Sequence, residues 1–416
     1  MKYQKPKGTK DFLPEEATQA TDIEEKFRKT CSLFGFQEIR TPILEHSDLF
    51  FRATGEGTDI VQKEMYLFKD KSGRELALRP EGTPGVIRAV IEEKLKPPLR
   101  LFYLGPMFRY ERPQKGRIRQ HTQLGVEILG EKGPYVDAEI ILLAKTFFGE
   151  IGIKDYWVDI NSLGCSICAS SFKDELKKFL SKEKEKLCPD CQNRLLRNPL
   201  RVLDCKNETC QNIYEGAPKI NQYLCLSCSE HFASFISYLT EIGVKNYRIA
   251  DKLVRGIDYY TRTVFEFVSE KLGAQHSFGG GGRYDNLFSD LGGEKTPAIG
   301  FALGLERILL IAERKEEVRK LVFLAFLSSD DFRKGKEIIG ILRSAKIPVI
   351  VGEIGGKLKN QLKQANSYNA DWTLILGEEE LKKGMVAIKD MKSGEQKEIK
   401  KEALVDFIKI GTTKPE

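Results

Sequence analysis

No stretch of this chain approaches the roughly 18 consecutive apolar residues that a bilayer-spanning helix needs, which excludes a helical membrane protein. Its first residues, MKYQKPKGTKDFLP, hold charge and proline where a secretory leader carries an apolar core. Neither sign of charge is in large excess: 67 Lys and Arg against 60 Asp and Glu leave a net +7. That surplus permits a nucleic-acid partner without demanding one. A cytoplasmic chain with no membrane partner is therefore expected, and in that compartment disulfides do not persist. Length is not scarce. At 416 residues the chain exceeds one ordinary core, so two or three domains are expected. A hydrophobic share of 41% with 31% charged residues reads as soluble and globular.

Nine cysteines are many for such a chain, and eight of them lie between Cys165 and Cys228. Cys31 stands apart, in a helical pattern. The eight read as metal ligands or as structural thiols. Cys165-x2-Cys168 and Cys188-x2-Cys191, 19 residues apart, fit a four-thiolate zinc site, and Cys205, Cys210, Cys225 and Cys228 remain as a second quartet. Zinc would let a short module with little core hold its shape. The plainer alternative is a set of buried or surface thiols.

Apolar residues recur at helical spacing over 15–34, after a start signal at Asp11–Pro14. GFQEIRTPILE reads as a strand broken at Pro42, which puts that proline at an edge or bend. Residues 59–81 read as short strands with a KSG turn, and Thr83 to Lys94 as a helix. FYLGPMFRYERPQKGRIRQHTQLGVE reads as two strands joined by a basic loop with Arg112, Lys115, Arg117 and Arg119. Such a hairpin either holds polyanions, guanidinium forks matching phosphate oxygens, or simply faces water. A helix over about 135–148 and a strand WVDINSLG lead into the cysteine-rich region, which looks inserted into a larger domain. LVRGIDYYTRTVFEFVS, the glycine run FGGGGRYDNLF and AIGFALGLERILLIA follow, the last a strand entering a helix. From Val322, strands and helices alternate as in a small α/β domain with a mostly parallel sheet. The charged stretch AERKEEVRK before it reads as a linker.

Four clusters call for one explanation: Arg79–Thr83, the basic hairpin, Leu253–Tyr260 and Gly300–Arg307. Together they supply separated arginines, several acceptors, and glycines that let backbone approach a ligand. Here a resemblance becomes specific. FRYERPQKGRIRQ resembles motif 2 of the class II aminoacyl-tRNA synthetases, and GFALGLERILL resembles their motif 3. LVRGIDYYTRTVFEF and SFGGGGRYDNL are similar to the two signature segments of the histidyl-tRNA synthetase family. KGTKDFLPEE, RPEGT and GKLKNQLKQAN with LILGEEEL also match it, so only the cysteine-rich insert lies outside the likeness.

The resemblance implies an α+β catalytic domain with a mainly antiparallel sheet, a small cysteine-rich helical insertion, and a C-terminal α/β anticodon-binding domain. On it, 1–164 is the first part of the catalytic domain with motifs 1 and 2. Residues 165–230 are the insertion, 231–318 the second catalytic part, and 322–416 the anticodon-binding domain. It implies ligation of L-histidine to tRNA(His) through a histidyl-adenylate, with ATP and Mg2+, by a homodimer that joins through the first helix and the strand through Pro42. Charge builds on phosphate and carbonyl oxygens in both steps, so arginines rather than a nucleophile triad are the fitting equipment.

By the same likeness Arg109, Arg255 and Arg307 are the catalytic arginines. Arg109 would grip the α-phosphate and carboxylate, and Arg307 the far phosphates. Arg255 would do the work of a metal ion in related synthetases. Glu111, Arg117 and His121 complete the ATP site, His121 standing where the class usually has a phenylalanine against adenine. Glu81, Thr83 and Gln123 would take the α-ammonium of histidine, Glu127 and Tyr260 its ring nitrogens, and Tyr259 would line the pocket. Gln114 and Arg119 would meet the acceptor end of tRNA, and Lys357, Lys359 and Lys363 its phosphates. Gly279–Gly282 would form a floor strand. A pocket of ring hydrogen bonds rejects isosteres by roughly 10⁴ or more, so no editing module is needed. Two other readings are a non-catalytic regulatory subunit of ATP phosphoribosyltransferase, and an RNA-binding protein that lost its chemistry. Arg255 and the C-terminal domain argue against the first, and the arginine set against the second.

Overall fold

The computed structural model describes residues 3–55, 57–273, 276–313 and 321–410. The chain forms two compact units, Met1–Arg314 and Lys315–Glu416. In the first, α1 (Pro14–Leu33) is followed by β1 (Gln37–Glu38), β2 (Leu44–His46), α2 (Ser47–Thr54), β3 (Tyr66–Lys69), β4 (Glu75–Leu78) and α3 (Thr83–Glu92). The hairpin β5 (Leu99–Phe108) and β6 (Gln120–Leu129) leads to α4 (Pro134–Glu150) and β7 (Trp157–Ser162). Three helices form the insert, α5 (Ser166–Lys182), α6 (Pro189–Arg197) and α7 (Glu208–Glu215), and α8 (Leu226–Glu241) leads from it back to the sheet. Then come β8 (Tyr247–Ile249), β9 (Thr261–Val268), β10 (Ser277–Arg283), α9 (Leu287–Asp290), β11 (Ala298–Gly304) and α10 (Leu305–Ile308).

Eight strands make one sheet in the order β1-β5-β6-β11-β10-β9-β7-β8. All neighbours are antiparallel except β1 with β5 and β7 with β8. Strand side chains alternate between faces, and each face of this sheet has its own composition. Leu124, Val126 and Ile128 of β6 join Phe301 and Ile299 of β11 and Phe265 and Phe267 of β9 in the main core. Helices α1, α4 and α8 close that core with Ile23, Phe27, Phe147, Phe148, Phe235 and Leu239. Phe27 meets Phe147 edge-to-face at 5.2 Å, a geometry that adds to simple burial. The opposite face carries His121, Gln123, Gly125 and Glu127, and the site is built there.

Behind the sheet, one buried carboxylate ties α4, α8, β9 and β10 together. Asp137 has no exposed surface and pairs with Arg283 at 2.7 Å. It also accepts from the Thr263 hydroxyl at 2.6 Å and the His231 Nε2 at 2.8 Å, while the His231 Nδ1 lies 3.3 Å from an Arg262 nitrogen.

The second unit holds β12 (Val322–Phe326), α11 (Ser329–Gly335), α12 (Glu337–Ser344), β13 (Val349–Val351), α13 (Leu358–Ser367), β14 (Trp372–Leu376) and α14 (Glu378–Lys382). It ends with β15 (Met385–Asp390), β16 (Gln396–Lys400) and α15 (Leu404–Ile410). Both β12 and β14 are buried along their whole length, which is why they read as unbroken apolar runs. The sheet order is β13-β12-β14-β15-β16, with the last two strands antiparallel.

Three expectations change. Residues 60–64 form a helical turn, not a strand, seeded where Thr58 accepts the Val61 and Gln62 N–H groups. The hairpin β15–β16 was not foreseen, because edge strand β16 is almost wholly exposed and polar and carries no apolar alternation. The cysteines regroup. Cys165 and Cys168 meet Cys225 and Cys228, and Cys188 and Cys191 meet Cys205 and Cys210. The insert leaves the sheet at the end of β7 and returns through α8, so its first and last Cys-x2-Cys pairs are brought together at the neck. The expected linker lies, from residue 314 to 320, outside the described residues.

Replacing Asp137 by Ala removes the nearest counter-charge from buried Arg283, leaving it Asp285 at 3.2 Å and the Gly133 carbonyl at 2.9 Å, and should cost about 3 kcal/mol of unfolding free energy. Urea unfolding of the Asp137→Ala protein measures this, and an unchanged midpoint would show that the network carries no weight.

Candidate active site

Directly opposed residues in an antiparallel ladder share a face, so register alone assembles much of the site. One row runs Tyr103–Gly125–Ala302–Gly280–Glu266 across β5, β6, β11, β10 and β9. The next runs Leu101–Glu127–Gly300–Gly282. Space requires glycine at all four glycine positions of these rows, most plainly at two. A Cβ on Gly300 would lie 1.7 Å from a Glu127 oxygen, and one on Gly280 would meet the Arg255 guanidinium at 2.8 Å. The glycine run is therefore an ordered strand floor.

A cavity of about 680 Å³ opens above this floor. Arg109, Arg255 and Arg307, from three distant segments, all line it, with Glu81, Thr83, Glu111, Arg117, His121, Gln123, Tyr259 and Tyr260. Arg109 is steered by its Nε, which donates to the Pro80 carbonyl at 2.8 Å. Arg255 is held by Glu266, 2.6 Å away on β9. Arg307 sits in α10, buried at the end of β11. Burial, with the nearby Arg117 charge adding, pushes the Arg307 guanidinium down to about 10. Burial and Arg109 push His121 down to about 3, so its ring is neutral at pH 7. Cationic groups crowd here in a poorly solvated place, which is the signature of a site awaiting an anion.

Opposite charge logic rules the deep end. Glu81 and Glu127 are both buried, and burial raises both. Glu81 accepts from the Tyr259 hydroxyl at 3.0 Å and the Thr54 hydroxyl at 3.1 Å. Glu127 accepts from Thr83 at 2.6 Å and from Tyr284, and reaches about 8. Tyr259 packs against Tyr260 and Tyr284 with ring centroids 4.7 and 5.5 Å apart. The amide of Gln123 accepts the Gly82 N–H at 3.2 Å. Two buried carboxylates, Glu81 with the Arg109 and Arg255 charges nearby, suit a ligand bearing amine or ring N–H groups.

Three residues named from sequence stand apart from the cavity wall. Glu127 lies behind it, fully covered and reached through Thr83. Gln114 is exposed at a tight turn closed by paired backbone bonds with Arg117. Arg119 covers the Tyr110 ring at 3.5 Å, and its backbone N–H donates to the Gly8 carbonyl at 2.7 Å. Sequence reasoning missed Glu266, Thr54 and Tyr284. Tyr284 stood in the quoted GRYDNL segment. The other two are found only by register and by the placing of α2. It also missed that Arg194, Arg201 and Asp204 of the insert line the same cavity.

The raised Glu127 carboxyl sets a pH dependence. Its folded value of about 8 lies above its ordinary 4.5. The stability it contributes is therefore complete below about 4.5 and is lost as pH rises through 8. The ligand-free Glu127→Gln protein should accordingly gain stability relative to the parent between pH 5 and pH 9, read as diverging thermal midpoints. Parallel midpoint curves would mean that Glu127 titrates normally.

The family model described as "Histidyl-tRNA synthetase" matches residues 8–180 and 207–308, and that described as "Anticodon binding domain" matches 322–410. The chain is 48% identical to the histidine–tRNA ligase of Desulfitobacterium hafniense, covering 99% of this chain and 98% of that one. It is 45% identical to that of Moorella thermoacetica, covering 97% of each. It is also similar to the crystal structure of apo S. aureus histidyl-tRNA synthetase, with a TM-score of 0.79 at 33% identity, covering 98% of this chain and 100% of that one. Motifs, sheet and cavity thus coincide with a match over nearly the whole length, and the chain belongs to the histidyl-tRNA synthetase family.

Proposed function

We propose that this cavity activates histidine with ATP to form histidyl-adenylate and passes the histidyl group to tRNA(His). One observation carries the reading: arginines from three separate segments and the buried carboxylate of Glu81 line a single cavity, with the buried Glu127 just behind it through Thr83. Charging of tRNA with histidine is the activity of the full-length relatives, and the regulatory-subunit reading is not favoured.

Glu81, with Thr83 and Gln123, takes the α-ammonium, while Glu127 and Tyr260 meet the ring nitrogens and Tyr259 walls the pocket. Arg109 then draws the substrate carboxylate and the α-phosphate together. Arg255 faces them from the other side, kept in place by Glu266. Arg307, Arg117 and Glu111 border the phosphates, and the neutral His121 ring stacks against adenine. Both steps spread negative charge over oxygens that these fixed guanidiniums already surround, so little reorganisation is needed. Magnesium usually binds through substrate phosphates and one or two carboxylates, and Glu111 and Glu306 line this cavity. They fit a cation that arrives with ATP and neutralises its phosphates.

Gln114, exposed at the hairpin tip, meets the acceptor end of tRNA on this reading. Arg119, tied to Tyr110 and the Gly8 backbone, shapes that loop. Lys357, Lys359 and Lys363, exposed along α13, suit tRNA phosphates and make binding salt-dependent. We assign 1–164 and 231–318 to the two catalytic parts, 165–230 to the insertion and 322–416 to anticodon binding. We also assign homodimerisation through α1 and the segment at Pro42, and action in the cytoplasm.

The test is histidine-dependent ATP–pyrophosphate exchange. Arg255→Ala should lower it by about 10² to 10³, while histidine binding, followed by calorimetry, persists. Undiminished exchange would remove the role assigned to Arg255.

A further inference from the structure

The insert has eight cysteines and a modest core. Its buried side chains, among them Phe172, Leu176, Leu180, Leu195 and Val202, make a small cluster that meets the sheet at Val264 and the loop at Leu253 and Val254. The sulfurs fall into two groups: Cys165, Cys168, Cys225 and Cys228, and Cys188, Cys191, Cys205 and Cys210. Within each group every sulfur lies within 4.8 Å of the others. Cys165 and Cys168 are 3.6 Å apart, and Cys188 and Cys205 are 3.8 Å apart. Disulfide sulfurs sit at about 2.05 Å, and all nine cysteines are free thiols. Four thiolates at about 2.3 Å from a tetrahedral zinc ion stand roughly 3.8 Å from one another. The observed spacing is that of a mononuclear ion. An iron–sulfur cluster, with several irons between its thiolates, would hold them farther apart.

Backbone geometry favours thiolates at both places. Cys165, Cys188 and Cys225 are the N-cap residues of α5, α6 and α8, and each partner three positions on lies in the first turn. A helix N-terminus stabilises a thiolate. Backbone N–H groups also point at sulfur, from Cys225 to Cys168 at 3.1 Å, from Cys188 to Cys210 at 3.3 Å and from Asn207 to Cys205 at 3.4 Å. The Tyr214 hydroxyl donates to Cys191 at 3.3 Å. Such outer bonds orient metal ligands.

The two quartets are nested in sequence, and their placement differs. The outer one closes the neck of the insert. The inner one brackets residues 192–204, which reach the active site. There Arg201 donates to the Arg255 carbonyl at 3.1 Å, and the Asn198 amide donates to Asp258 at 2.9 Å. Arg194 and Arg201 pair with Asp59 at 3.3 and 3.4 Å. We propose that the eight cysteines bind two zinc ions, one per quartet, and that the inner ion holds residues 198–204 against the loop bearing Arg255. The second clause rests on the active-site reading above; the first does not.

Full-length protein purified without chelator should contain two zinc ions per chain by mass spectrometric metal analysis. Growth in cobalt should give the thiolate charge-transfer and visible bands of tetrahedral cobalt, again at two ions per chain. Cys165→Ser/Cys168→Ser and Cys205→Ser/Cys210→Ser should each retain one ion. The inner variant alone should raise KM in pyrophosphate exchange by about ten-fold or more, as small displacements of positioning groups do. Fewer than two ions per chain, with the remaining thiols open to alkylation or joined as disulfides by intact mass, overturns the assignment. Two ions with equal kinetic effects in both variants overturn the positioning role alone. Failure of exchange in the parent protein would bear on the active-site reading and leave the zinc count standing.

Discussion

Charges that the fold takes out of water without fully neutralising are the constraint on which the rest depends. Arg117 presses on Arg307, and Arg109 and Arg117 on His121, at one side of the cavity, while Glu81 presses on Glu127 at the other. Isolated, either arrangement would cost several kcal/mol. Both are tolerated because the surrounding structure is over-determined by a thick core under the sheet. The ligand such a site favours is dipolar, basic at one end and polyanionic at the other. A histidine carboxylate approaching the α-phosphate of ATP has that character before any chemistry occurs. Stability of the empty protein and affinity for substrates are thereby opposed, the usual compromise of a preorganised site.

A strand's two-residue period turns this electrostatic demand into a sequence pattern. On β6, even positions 124, 126 and 128 are apolar and feed the core, while odd positions 121, 123, 125 and 127 face the site. A shift of register by one residue would exchange the two sets. The ten paired positions between β5 and β6, and the glycine rows on β10 and β11, prevent that. Only residues without a Cβ leave room for Glu127 and Arg255 across Gly300 and Gly280. Composition, register and chemistry are three views of one constraint.

What could be read in advance follows the range of the interaction concerned. Local periodicity is visible in a single chain, so α1, the β5–β6 hairpin and the strand–helix alternation after Val322 were legible. The clustered arginines were legible through motifs that keep their spacing. Partnerships between remote segments were not. Glu266 carries no mark identifying it as the anchor of Arg255, since both its exposure and its partner are set by sheet order. The cysteine quartets show the same limit: spacing identifies Cys-x2-Cys pairs, whereas their grouping depends on where the insert leaves and rejoins the sheet. Strand β16 escaped for another reason, being an edge strand whose side chains face water.

The insert shows how a segment outside a family's common core can still belong to its active site. Residues 181–206 fall in the gap of the family match, yet Arg194, Arg201 and Asp204 line the cavity. Arg194 and Arg201 are held there by the Asp59 carboxylate, and Arg201 also by the Arg255 carbonyl, while Leu253, Val254 and Tyr260 pack against the insert's apolar cluster. Directed polar contacts of this kind require that their backbone be held within a fraction of an ångström. Residues 198–204 lie between α6 and α7, too short a stretch to build a core of its own. Val202 and Leu203 fix it to the insert's apolar cluster, and its two ends converge where Cys191 and Cys205 stand in one quartet. The zinc ion proposed for that quartet would tie both ends together and keep the intervening polar groups on target. On that proposal, the cavity wall contributed by the insert would rest on sulfur geometry as well as on apolar packing, as the floor rests on glycine.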